Sequence, residues 1–207
     1  MARRRTPSAA TVGVADHSHS AVLVTIAPGG ALVDRRSIDL TPRDLPTHPH
    51  HHEGSWAVGR YLDTPGARAL SMAEAVAVVE RVRAAAVRGA RAGLDALAVA
   101  LPVRVTAIAI RRCPALPPTA EQRIVDHRAQ LVADSVMYRE ALATAAEERG
   151  WSVCWYDRDR VFAEAAVAFG QGDLDALLDS MGRTAGAPWQ AKHRLAAAAA
   201  LAAGRQR

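Results

Sequence analysis

The chain is predicted to fold as one α/β domain, with a mixed sheet and helices on both of its faces. Three observations point there. Short apolar, β-branched runs separated by tight turns come first. Helical stretches introduced by capping residues alternate with further strands after them. Hydrophobic residues make up 50% of the 207, enough for a substantial core.

Val12 to Ala15 is a buried-strand pattern, and Ala21 to Ala27 (AVLVTIA) is a second. Pro28-Gly29-Gly30 marks a turn before a third strand, Ala31 to Leu40. Connections this short predict an antiparallel meander. Thr41 to Gly66 is rich in Pro, His and Gly and reads as a long loop. Ser71-Met72-Ala73-Glu74 has the form of a capping box, and the helix behind it is expected to run to about Gly93. Pro102 divides the apolar runs Leu97–Leu101 and Val105–Ile110, the second of which is a strand. Thr119-Ala120-Glu121-Gln122 repeats the capping box and opens a helix expected to continue unbroken to Gly150. Ser152 to Tyr156 is the last strand. Arg160–Phe169, Leu174–Met181 and Pro188–Ala203 read as helices, the last with proline in its first turn. Residues 1–10 read as a disordered basic leader, 11–203 as the domain and 204–207 as a tail.

No run of about 18 apolar residues is present, so no membrane span is expected. The two cysteines, Cys113 and Cys154, lie far apart and suit a reducing cytoplasm. The net charge of +5 hints at an anionic partner, nucleic acid or a phosphorylated ligand. Three arginines at positions 3–5 and two in the tail equal that whole excess.

The element order and the stretch VGVADHS (Val12–Ser18) resemble the ribonuclease H-like superfamily, which includes Holliday-junction resolvases and many transposases. HRAQLVADSVMYREAL and GWSVCWYDRDRVFAEAA also look like segments of a bacterial family of unassigned function. The superfamily resemblance implies clustered carboxylates that hold two magnesium or manganese ions about 4 Å apart. It matches Asp16 to the first acid and brings Asp157 near it. Two departures stand beside this. The fourth strand ends in Arg111 and Arg112 where such enzymes carry an acid, and the last helix has no Asp or Glu. Asp16 has an alternative role as turn punctuation, since Asp-His-Ser can close a tight turn through side-chain-to-backbone bonds.

The run His48-Pro49-His50-His51-His52-Glu53 is a second candidate site. With His17 and His19 it offers imidazoles suited to zinc or nickel, and Asp16, His17, His52 and Glu53 form the candidate metal set. On a continuous helix from Thr119, Arg123, His127, Gln130, Asp134 and Tyr138 form a polar stripe. Ile124, Val125, Leu131, Val132, Val136 and Leu142 are expected to face the sheet. Arg128 and Arg139 would then project into the apolar face, where each must snorkel out or find a carboxylate such as Asp16 or Asp157, several carbonyls, or a bound anion. Arg112, Arg128 and Arg139 are accordingly the candidate anion-binding residues. Trp155 and Tyr156 lie on opposite faces of their strand, so one ring could line a site.

Three functions fit these residues: a binder of nucleic acid or another anion with a degenerate acidic site, a metal-dependent phosphodiester hydrolase using Asp16, Glu53 and Asp157, or a non-catalytic scaffold, with a homodimer compatible. Nothing places a serine or cysteine nucleophile beside a base. Gly29-Gly30 does not open a helix, so it is no phosphate loop.

Overall fold

The computed structural model describes residues 9–170 and 172–204. It contains β1 (Ala9–His17), β2 (Ser20–Ile26), β3 (Leu32–Asp39), α1 (Glu53–Ala57), α2 (Met72–Ala100), β4 (Arg104–Arg111), α3 (Ala120–Val125), α4 (His127–Glu148), β5 (Ser152–Tyr156), α5 (Val161–Phe169), α6 (Leu174–Ala185) and α7 (Ala191–Gly204). The strands form one sheet in the order β3-β2-β1-β4-β5. β2 is antiparallel to both of its neighbours, whereas β1, β4 and β5 run parallel.

Parallel strands need crossovers, and the crossovers cover both faces. Val12, Val14, Leu23, Ile108 and Ile110 pack against α2 and α4 in one core layer. Ala15, Val22, Val24, Ala109 and Tyr156 pack against α5, α6 and α7 in the other. Burial on both sides is why Val12–Ala15 reads as continuously apolar. Gly13 lets α7 lie directly on β1, because a Cβ there would overlap the carbonyl of Ala196. The alanines of α7 complete that close approach.

Several boundaries differ from expectation. β1 opens at Ala9, and Ala10 is fully buried, so both residues belong to the sheet and not to a leader. Gly204, expected to open the tail, ends α7, while positions 1–8 of the expected leader and 205–207 of the expected tail lie outside the described residues. α2 does not stop at Gly93 but continues to Ala100. Its glycines serve packing: a Cβ on Gly89 would overlap the Leu40 carbonyl, and one on Gly93 would lie 2.8 Å from Ile38 Cδ1. Both capping boxes are present, at Ser71/Glu74 and Thr119/Gln122.

The long helix predicted from Thr119 is two helices. Asp126 adopts an extended conformation (φ −75°, ψ 108°), ends α3 and caps α4 by accepting from the backbone N–H groups of Arg128 and Ala129. Only part of the expected apolar face holds: Ile124, Val136 and Leu142 are buried as expected, Val125 is exposed, and the buried surface of α4 extends over part of the polar stripe. Leu131 and Val132 are exposed, while Gln130, Asp134, Tyr138 and Arg139 are buried. Arg128 is exposed in the first turn of α4 and does not enter an apolar face.

Candidate functional site

Parallel pairing places the C-terminal ends of β1, β4 and β5 side by side, which brings Asp16, Arg111 and Tyr156 to one end of the sheet. Asp16 meets Arg139 there. The Nε and Nη2 of Arg139 donate to Asp16 Oδ2 at 3.0 and 2.9 Å, with the two side chains only 7% and 9% exposed. Asp16 therefore does not serve as turn punctuation. The β1–β2 turn is closed by Ser20 Oγ donating to the His17 carbonyl, with Ser18 at φ 49°.

The Tyr156 hydroxyl donates to the Val14 carbonyl at 2.8 Å. Burial, reinforced by the charge of Asp16, pushes its pKa upward, and Arg139, Arg111 and Arg158 oppose that rise. The phenol stays a neutral donor. Burial likewise raises the Cys113 thiol, with Arg139 opposing, so Cys113 is no ready thiolate.

Two cavities meet at this end of the sheet. One, of about 460 Å³, is lined by Asp16, His17, Arg111, Arg158, Phe162 and Lys192 among others. The second, of about 390 Å³, includes Arg112, Cys113, Arg139 and Asp157. Arg111, Arg158 and Asp159 border both, so they form one groove across the strand ends. Arg112, Arg158 and Lys192 are exposed and Arg111 is half-buried. Asp157 is exposed, and its Oδ1 accepts from the Asp159 backbone N–H in the turn before α5.

Other predicted site residues lie elsewhere. Arg128 lines neither cavity. The histidine run docks against α4 through Gln130, Asp134 and Tyr138 of the polar stripe. Asp134 Oδ1 accepts from the His50 backbone N–H at 2.9 Å and lies 2.8 Å from His50 Nδ1, and Oδ2 accepts from the His51 N–H at 3.1 Å. Gln130 Oε1 accepts from Ser55 Oγ and Arg60 Nη1, and the Tyr138 hydroxyl donates to the Thr47 carbonyl. His48 Nε2 lies 3.0 Å from Ser18 Oγ and so ties the run to the β1–β2 turn. His52 is exposed, its ring tilted against those of His48 and His51 with centroids 5.6 and 5.3 Å apart. Glu53, half-buried, has its carboxyl pushed up by burial.

The donor set does not fit the metal chemistry that the resemblance implies. Among the described residues, no three His, Cys, Asp or Glu side chains converge as a metal site. Asp16 and His17 border the groove, while His52 and Glu53 belong to the docked loop and α1. Arg111 stands at the end of β4, and α7 offers Lys192 and Arg194 to the groove in place of an acid. Arg194 is itself paired with Asp175 and Asp179.

The order β3-β2-β1-β4-β5, with β2 alone reversed and helices on both faces, matches the expected architecture. The fold is ribonuclease H-like. Two solved structures resemble the chain over 95% of its length and 93% of theirs. They are Thermus thermophilus RuvC, at 14% identity and a TM-score of 0.47, and T. thermophilus RuvC in complex with a Holliday junction substrate, at 15% and 0.46. No family model and no curated protein matches the chain.

Of the residues singled out in the sequence, Asp16, His17, Arg112, Arg139 and Asp157 border the groove, whereas Arg111, Arg158, Phe162 and Lys192 were not among the candidates. Arg158 had a signal, since YDRDR follows the last strand directly. Lys192 and Phe162 had none, because their helices reach the groove only through tertiary packing.

Proposed function

We propose that the protein binds nucleic acid through its phosphate backbone at the C-terminal end of the sheet, without metal-dependent hydrolysis. The observation that carries this reading is the row of cations in the groove. Arg111, Arg112, Arg158 and Lys192 enter none of the salt bridges found among the described residues, while Arg139 occupies the carboxylate of Asp16. Guanidinium groups suit phosphate because they present fixed, planar donors and never lose their charge. A permanent cation on Asp16 also removes the ligand that a dication would need first.

Fluorescence anisotropy with a labelled oligonucleotide, in the presence of a chelator, tests the proposal. Four phosphate contacts predict that log K falls with log salt at a slope of roughly −3, about 0.7 per contact for a single strand. Arg158→Ala should weaken binding and flatten the slope by about 0.7. No binding, binding abolished by the chelator, or an unchanged slope in Arg158→Ala and Arg112→Ala would overturn it.

A further inference from the structure

Phosphate contacts alone do not distinguish a duplex from a single strand, but the groove holds one residue that does. Phe162, in the first turn of α5, is 40% exposed, and its ring lines the same cavity as Arg111, Arg158 and Lys192. An aromatic face left bare among cations does nothing for the core. Val161 and Ala165 supply the buried side of α5. The environment suits a planar, apolar partner attached to an anionic chain, which describes an unpaired nucleobase on its phosphate backbone. A duplex keeps its base faces stacked inside and cannot offer one without being unpaired.

Resting on the nucleic-acid reading above, we propose that the ligand is single-stranded and that Phe162 is a stacking platform for one of its bases. Arg111, Arg158 and Lys192 hold the phosphates on either side. The platform is sequence-tolerant, because every base has a π-face. No bond is made or broken.

The test compares three labelled probes on the full chain by anisotropy: a natural single strand, the same strand made abasic, and the corresponding duplex. The abasic strand keeps every phosphate and lacks only the rings. The natural strand should bind roughly five- to a hundredfold more tightly than the abasic one, the range expected of one stacked base. Phe162→Ala should erase that difference and Phe162→Trp should retain it. Because the ring is exposed, both variants should keep the circular dichroism spectrum and melting temperature of the parent. Equal binding of natural and abasic strands, or tighter binding of the duplex, overturns the stacking proposal while leaving the phosphate reading intact. Failure of all three probes to bind overturns both.

Discussion

At the scale of single residues, the pairing of Asp16 with Arg139 decides the chemistry of the sheet end. Two charges this buried recover their desolvation cost only through each other, and removing one strands the other. Arg139→Met is expected to destabilise the protein by about 3–5 kcal/mol in urea unfolding, and Asp16→Leu by a comparable amount. The double variant should recover most of the loss, because it leaves no buried charge. Costs of under about 1 kcal/mol for both single variants would show that the pair is not held in the native state and that Asp16 is free for other work. Tyr156, fixed to the Val14 carbonyl, completes the same corner by joining β5 to β1 across β4.

At the scale of elements, the loop carrying the histidines behaves as a strap across α4. Its anchors are Asp134, Gln130 and Tyr138, whose phenol is pushed up to about 12 by burial and so remains a donor to Thr47 at neutral pH. His48 faces Ser18, Thr47, Asp134, His19, His51 and His52. Burial lowers its pKa below the ordinary 6.5, Asp134 opposes, and the neighbouring imidazoles add to the lowering. The native state therefore prefers neutral His48. Its contribution to docking is complete above 6.5 and is lost as the pH falls through the depressed native value. Hydrogen exchange over residues 41–66, corrected for intrinsic rates, should show weaker protection at about pH 5.5 than at about pH 7.5. Glu53 works in the opposite sense, since its raised carboxyl pKa favours the native state on acidification, in the window just above the ordinary 4.5. In the Glu53→Gln variant, which removes that opposing titration, protection that is unchanged or higher at the lower pH would refute the strap's dependence on His48.

At the scale of the whole molecule, the sheet order sets what can meet. β1, β4 and β5 end together, and what collects there is the shielded Asp16 among arginines, with Asp157 and Asp159 exposed along the groove. Such a site should ignore divalent metals. A ligand that binds only the native state raises its stability in proportion to occupancy, so magnesium or manganese at millimolar concentration should leave the melting temperature unchanged. A concentration-dependent rise, abolished by Asp16→Asn, would restore the metal-dependent reading. No helix among the described residues is long and apolar enough to cross a membrane.

Much of the fold was legible because it is written locally. Short apolar, β-branched runs between turn signals marked the five strands, and two capping boxes marked two helix starts to the residue. The misread elements are the ones where a distant contact overrides a local sign. Gly93 looks like a helix stop but is a notch for Ile38. Asp126 looks like one more polar residue in a long helix, yet it breaks that helix; Gln130, Asp134 and Tyr138 of the polar stripe lie inward, where the histidine loop supplies partners. The same limit applies at the site. The sequence by itself determined that Asp16 ends the first strand and that arginines replace the expected acids. Only the tertiary structure decided that Asp16 belongs to Arg139, 123 residues away, and that Phe162 and Lys192 wall the same groove. Periodicity records which way a side chain leaves its own backbone. The partner it meets depends on how the crossovers bring remote elements together, and no local pattern carries that information.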